Sequence, residues 1–138
     1  MKEVISWLID SDEPWTRFRV LTDLLARPAP DPSTSLRAAS AVVSAQADLV
    51  AHPKVRALIA SALTWGDEPL KWHNDSAHPL YAISTLANFG LRASDPGIHR
   101  VVEKILAHQS PEGAFQTKVN VAAAFGGTGK DQWTWMGY

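Results

Sequence analysis

The chain has 138 residues, of which 46% are hydrophobic and 20% are charged. This balance is that of a single folded domain with a buried core, and it excludes an intrinsically disordered chain. The formal net charge of −1 provides no excess of cations to neutralise a phosphate backbone, so we expect no nucleic-acid partner. The absence of cysteine excludes disulfides, thiolate metal sites and a cysteine nucleophile, and it suits a reducing cytosol.

Apolar runs in the sequence are short. A membrane span needs about 20 consecutive apolar residues, and no segment reaches that length. The N-terminal apolar run ends at Ile9, and acidic residues follow at once, so we do not expect a signal peptide. The sequence therefore predicts a cytoplasmic protein without a membrane span.

Six segments carry apolar residues at the spacing of amphipathic helices, separated by prolines, glycines and capping residues. Pro14 and Pro53 mark helix starts, because proline fits the first turn of a helix and not its interior. Gly90 is expected just after the end of a helix. The predicted helices cover residues 2–10, 14–26, 35–51, 53–63, 78–89 and 96–109.

The third predicted helix is the longest, and its apolar side chains recur at helical spacing. We expect this stripe to face a hydrophobic core. Its members are Leu36, Ala39, Val43, Ala47 and Val50.

The breaks between helices are short, which favours antiparallel neighbours. The prolines of residues 28–32 predict a stiff linker. Residues 110–138 are rich in glycine, and the one regular element that we consider there is a short strand at Lys118–Val121. The sequence therefore predicts an all-α fold, a single domain over residues 1–138, with about six helices as consecutive antiparallel hairpins and an irregular C-terminal segment.

Residues 64–77 lack both periodicities and crowd aromatic and ionisable groups into one long loop, a kind of segment that is often functional. The candidate catalytic residues are His73, Asp75 and His78, two imidazoles and a carboxylate suited to acid–base work. Zinc and iron use such ligands, but the spacing matches no established signature, so we expect neither a metal nor a cofactor. Helix initiation explains the same residues, with Ser76 as the cap.

Aromatic residues outside the helical stripes are candidates for a ligand-binding wall, and loop packing is the alternative explanation. These candidate ligand-binding residues are Trp65, Trp72, Tyr81, Trp133 and Trp135. The segment Gly126-Gly127-Thr128-Gly129-Lys130 is similar to a phosphate-binding loop, but it lacks the first glycine and the final Ser or Thr of that motif. We interpret it as a flexible loop.

The segment Gln109-Ser110-Pro111-Glu112-Gly113-Ala114-Phe115 follows an amphipathic helix. It resembles the QW repeat of squalene and hopene cyclases, Gln-x-x-x-Gly-x-Trp, with Phe115 in place of Trp. The resemblance implies a structural turn in which Gln109 bridges, Gly113 bends the chain and Phe115 packs beneath. With its Trp- and His-rich loops at residues 71–79 and 131–135, the chain resembles a short or partial prenyltransferase and squalene-oxidase-repeat protein, a terpenoid cyclase-like α/α toroid.

That resemblance implies a terpenoid cyclase- or prenyltransferase-like protein that binds an apolar or isoprenoid-like small molecule. The acidic motifs Asp-x-Asp-Asp and Asp-Asp-x-x-Asp of such enzymes are absent from the chain, and the sequence does not decide whether it is an enzyme. The alternative is a non-catalytic helical-repeat scaffold or protein-interaction module. Because the chain is short for a closed toroid, we expect a homo-oligomer or a part of a longer chain.

Overall fold

A computed structural model of the protein describes residues 2–25, 32–72 and 75–135. Residues 28–31 of the predicted linker and the candidate His73 lie outside these ranges, whereas Pro32 begins a helix. Six α-helices lie within the described residues, as the periodicity predicted. They are α1 (Lys2–Ile9), α2 (Pro14–Arg19), α3 (Pro32–Ala51), α4 (Pro53–Leu63), α5 (Pro79–Asn88) and α6 (Ile98–Leu106).

The punctuation of these helices follows the sequence signals. Proline is the first residue of α2, α3, α4 and α5. Gly90, after α5, has a φ of 87°, and the N–H of Leu91 donates to the Leu86 carbonyl over 3.2 Å. The predicted second helix ends early, because α2 passes into a π-helical turn at Val20–Leu24. None of the described helices combines the length and the apolar character that a membrane crossing requires.

The all-α prediction is wrong. The described chain is 55% helical and also contains an antiparallel sheet of two strands, β1 (Gln116–Val119) and β2 (Gln132–Trp135), so its fold is mixed. Gln116 lies opposite Trp135, and Val119 lies opposite Gln132. The chain therefore does not continue as helical hairpins after α6. Both strands alternate polar with β-branched or aromatic residues, the pattern of a half-buried strand, but each has only four residues and glycines lie between them.

The described residues fall into two compact units. The first unit comprises Met1–Ala57 and Leu86–Leu91, in which α2 packs against α3 and the ring of Trp15 stacks on Phe89 with centroids 4.6 Å apart. Its buried apolar side chains are Phe18, Val20, Ala45, Leu49, Val55 and Leu86.

The face of α3 that is buried is not the predicted one. Leu36 and Val43 are 73% and 66% exposed, and Ala39 and Ala47 are exposed as well. The helix instead buries Ala45 and Leu49 in the first unit. The helix α3 itself carries small apolar residues on several of its sides, so helical periodicity alone does not determine which side meets the core.

The second unit comprises Leu58–Thr85 and Arg92–Tyr138, of which residues 73, 74 and 136–138 are not described. The Lys104 ammonium closes the C-terminus of α4 by donating to the Leu63 carbonyl over 2.7 Å and to the Asp67 carboxylate over 3.0 Å. The buried apolar side chains of this unit are Ile59, Ala62, Trp65, Ala82, Ile98 and Val101.

Two leucines of α3 test which face is buried. Leu49→Ala removes a side chain with no exposed surface and should lower the free energy of unfolding by about 2–5 kcal/mol. Leu36→Ala, the matched control in the same helix, should change it by no more than about 0.5 kcal/mol. Urea denaturation followed by circular dichroism measures both. Equal losses for the two variants would contradict the orientation of α3.

Candidate functional site

An open apolar cleft of about 590 Å³ lies within the second unit. Sites for small molecules usually have volumes of about 300–1,000 Å³ and mostly apolar walls. The rings of Trp72 and Phe125 meet edge to face at this cleft, with centroids 5.9 Å apart. The lining residues are Lys71, Trp72, Asn120, Val121, Ala122 and Phe125. The cleft therefore has the size and the surface of a small-molecule site.

Backbone hydrogen bonds hold one wall of the cleft against the sheet. The N–H of Leu70 donates to the Lys118 carbonyl over 2.8 Å, and the N–H of Asn120 donates to the Leu70 carbonyl over 3.1 Å. Leu70 thus forms a parallel bridge with Val119, the last residue of β1. Trp72 follows two residues later, so the sheet positions this ring.

The other wall is the loop of residues 120–131, which joins β1 to β2. The N–H of Gly129 donates to the Val121 carbonyl over 2.9 Å, and that of Gly127 donates to the Ala122 carbonyl over 3.2 Å. A Cβ atom on Gly127 would lie 2.0 Å from the Val121 oxygen, so a side chain does not fit there. Gly127 and Gly129, in the segment that we interpreted as a flexible loop, therefore fold back on Val121 and Ala122, and a short 3₁₀ turn just before them carries Phe125.

A polar cluster joins the two ends of this loop. Asn120 Nδ2 donates to Asp131 Oδ1 over 2.8 Å, and Lys118 Nζ lies 3.2 Å from Asp131 Oδ2. Lys118 also donates to the Asp67 carbonyl over 3.1 Å. The amide of Asn120, and then Lys118, hold the pKa of Asp131 below its ordinary value, and the charge of Lys71 acts in the same direction. The carboxylate of Asp131 is thus ionised and engaged.

The predicted tryptophans occupy three places. Trp72 lines the cleft. Trp65 is buried, with its indole N–H donating to Thr117 Oγ1 over 3.3 Å, and it packs edge to face on Trp133. Trp133 stacks on His108 with centroids 3.6 Å apart. Trp135 is 53% exposed on β2 and is not among the cleft residues. Of the four, only Trp72 is part of the cleft.

Two of the candidate catalytic residues, Asp75 and His78, help to line a different, more polar recess of about 280 Å³. His78 is buried, its Nδ1 accepts the N–H of Leu80 over 3.2 Å, and its Nε2 lies 3.3 Å from the Glu68 carbonyl oxygen. These two partners require a neutral imidazole protonated on Nε2. This geometry suits a residue that starts α5, because both ring nitrogens are already bonded to the backbone.

Two further predictions concern Tyr81 as a ligand-binding residue and the ligands of a metal ion. Tyr81 is 36% exposed on α5 and does not line the cleft. Among the residues that the structure describes, no group of three His, Asp or Glu side chains is arranged to hold a metal ion.

The segment that resembles a QW repeat forms a closed turn. Gln109 Nε2 donates to the Gly113 carbonyl over 2.8 Å, and Gly113 has a φ of 91°. Gln109 also forms an antiparallel bridge with Phe115. The glutamine therefore closes its own turn, and Phe115 is 48% exposed rather than packed beneath it.

Comparison of the chain with protein-family models, with curated proteins and with solved structures found no match. The described residues define a mixed α and β protein whose second unit holds an aromatic-walled cleft. The geometry of that cleft is therefore the basis for proposing a function.

Sequence reasoning identified Trp72 and missed the rest of the cleft. The missed residues are Lys71, Asn120, Val121, Ala122 and Phe125. The available signal was the apolar run from Val121 to Phe125 inside an otherwise polar and glycine-rich segment. This run lines a cleft only because the pairing of β1 with β2 closes the loop that contains it.

Substitution of two glycines tests the packing of this loop. Gly127→Ala places a methyl group against the Val121 carbonyl and should displace the loop, which shifts the indole N–H signal of Trp72 in ¹H–¹⁵N spectra. Gly129→Ala is the control, because a Cβ atom added at Gly129 would have no atom within 4 Å. The φ of 66° at this position is unfavourable for alanine, so the substitution should lower the free energy of unfolding by about 1–2 kcal/mol and leave the Trp72 signal in place. The signal is assigned by its loss in Trp72→Phe. An unshifted signal in Gly127→Ala would contradict the loop packing.

Proposed function

We propose that this protein binds an apolar small molecule in the open cleft beside Trp72 and Phe125. One observation carries the proposal: two large aromatic side chains, 57% and 70% exposed, stand edge to face beside an apolar volume of about 590 Å³. Covering apolar surface contributes about 25 cal/mol per Å², so a ligand gains free energy by filling this space.

The framework of the cleft supports the proposal. The hydrogen bonds of Leu70 hold one wall, and the close approach of Gly127 to Val121 holds the other. A preformed site loses little conformational entropy on binding, which favours affinity for a small ligand.

The isoprenoid-like ligand that the resemblance to squalene and hopene cyclases implies belongs to the same class. Membership of that group stays a proposal, supported by the Gln109–Phe115 turn, and so does a cytoplasmic location. The proposal concerns binding and not catalysis, because Asp75 and His78 border the polar recess rather than the apolar cleft.

Farnesol, an isoprenoid alcohol without charge, tests the proposal by equilibrium dialysis. Trp72→Ala and Phe125→Ala each remove one wall and should weaken binding by about tenfold, since an aromatic contact contributes about 1.5 kcal/mol. The matched controls are Trp7→Ala and Phe115→Ala, which remove exposed aromatic rings outside the cleft and should leave the affinity unchanged.

Absence of farnesol binding, together with absence of binding by straight-chain alcohols, would contradict the proposed function. Equal losses in the control variants would show that binding occurs on exposed rings in general. Circular dichroism of each variant verifies that its helical content is retained.

The second candidate function, a protein-interaction module, is favoured by the uncovered side of α3. Leu36 and Val43 are exposed and one heptad apart, and α1 of the same unit exposes Val4 and Trp7. Apolar residues at this spacing are suited to pairing with another helix.

Sedimentation equilibrium tests this second candidate. If α3 pairs two copies of the chain, the wild type should be a dimer, and Leu36→Arg with Val43→Arg should shift it to the monomer. Ala41→Arg is the control, because Ala41 is exposed on a different side of the same helix. A wild type that stays monomeric up to high concentration would contradict self-association through α3.

A further inference from the structure

One cation borders the apolar cleft. Lys71 is exposed and lines the cleft beside Trp72, and among the described residues its ammonium forms no hydrogen bond and no ion pair. The neighbouring Lys118, in contrast, is engaged by Asp131 and by the Asp67 carbonyl. Lys71 is therefore the cleft's available positive charge within the described part of the chain.

The carboxylate on which the charge of Lys71 acts, that of Asp131, is already engaged. Asp131 accepts from Asn120 at one oxygen and pairs with Lys118 at the other, so the cluster of two lysines and one aspartate retains one positive charge. Lys71 also borders the polar recess, where Glu68 and Asp75 lie, but neither carboxylate is within ion-pair distance of it.

We propose that the ligand of this cleft is an amphiphile with a single anionic group, such as a carboxylate. Its apolar body lies against Trp72 and Phe125, and its anionic group pairs with Lys71. This inference rests on the proposed function and names the chemical class of the ligand. This ligand is a free small molecule, because the cleft is a concave volume within one unit.

Other charge classes fit the cleft less well. The face of Trp72 is able to attract an organic cation, but the ammonium of Lys71 repels one. A diphosphate carries several negative charges and is usually held by several cations or by a helix N-terminus. Among the residues that the structure describes, the cleft offers one lysine without an ion-pair partner, which matches one negative charge.

Three probes with a ten-carbon chain isolate the role of the charge: decanoate and decyltrimethylammonium, each below its critical micelle concentration, and 1-decanol below its solubility limit. In low salt at pH 8, Lys71→Met should weaken decanoate binding by about fivefold, the effect expected of an exposed ion pair. The same substitution should leave the affinity for 1-decanol unchanged and strengthen the binding of decyltrimethylammonium. The effect on decanoate should shrink in high salt.

Two control variants accompany this comparison. Lys71→Arg keeps the charge and should keep the affinity for decanoate. Lys130→Met removes one charge from the same loop as Phe125 without touching the cleft lining, so it should leave all three affinities unchanged. Equal weakening by Lys130→Met and Lys71→Met would overturn the inference, because only the net charge would then matter.

The outcomes separate the inference from the function beneath it. If Lys71→Met weakens decanoate and 1-decanol equally, the lysine acts as an apolar wall, and the inference fails while the proposed function stands. If none of the three probes binds the wild type, the proposed function fails. Co-sedimentation with vesicles of phosphatidylcholine and phosphatidylserine should leave the protein in the supernatant. Lys71-dependent sedimentation without decanoate binding would overturn the inference in favour of a bilayer headgroup.

Discussion

The pair of backbone hydrogen bonds at Leu70 is the constraint on which the second unit depends. Through them, a loop that has no periodicity of its own becomes a neighbour of β1. Each such bond contributes only about 0.5–1.5 kcal/mol, so two of them do not hold a loop alone. The burial of Trp65 on one side of this segment and its bond to Thr117 add the packing that they lack. The position of Trp72 at the cleft is a consequence of both.

Tryptophan has two roles in this unit, and exposure separates them. Trp65 is 3% exposed and packs with the stacked rings of Trp133 and His108, and the Trp133 ring fills the space over Gly66. Trp72 is 57% exposed and packs on Phe125, a ring that is itself largely in solvent. The first set stabilises the fold by burial, whereas the second leaves apolar surface in water that a ligand is able to cover.

The presence of the helices and several of their ends could be predicted from the sequence, because the signals are local, although the end of α2 and the start of α3 were not. Pro53 begins α4 and Gly90 follows α5 for reasons that lie within a few residues. The sequence allows a short strand at Lys118–Val121, which overlaps β1, but the pairing with β2 could not be predicted, since each strand is four residues long and glycines lie between the two. The same holds for the buried side of α3, where Leu36 and Leu49 are equally apolar.

In the candidate site, too, the residues with a local signal could be predicted and those that depend on tertiary contacts could not. Trp72 stood out because an aromatic residue in a polar loop is visible in the sequence. Phe125 did not, because its position depends on the pairing of β1 with β2 and on the absence of a side chain at Gly127. Lys71 was missed because the meaning of its charge depends on which other charges are paired, and that is decided by tertiary contacts such as the one between Lys118 and Asp131.

The contacts that build the cleft join residues far apart in the chain: 52 positions separate Trp65 from Thr117, and 51 separate Asp67 from Lys118. Contacts of such separation form late in folding, because a long loop must close before they contribute. The cleft therefore exists only when the chain from α4 to β2 is assembled, and partly folded molecules have no equivalent surface. A ligand of the cleft would bind the native state alone. The fraction of the protein that is folded would therefore rise with the concentration of that ligand.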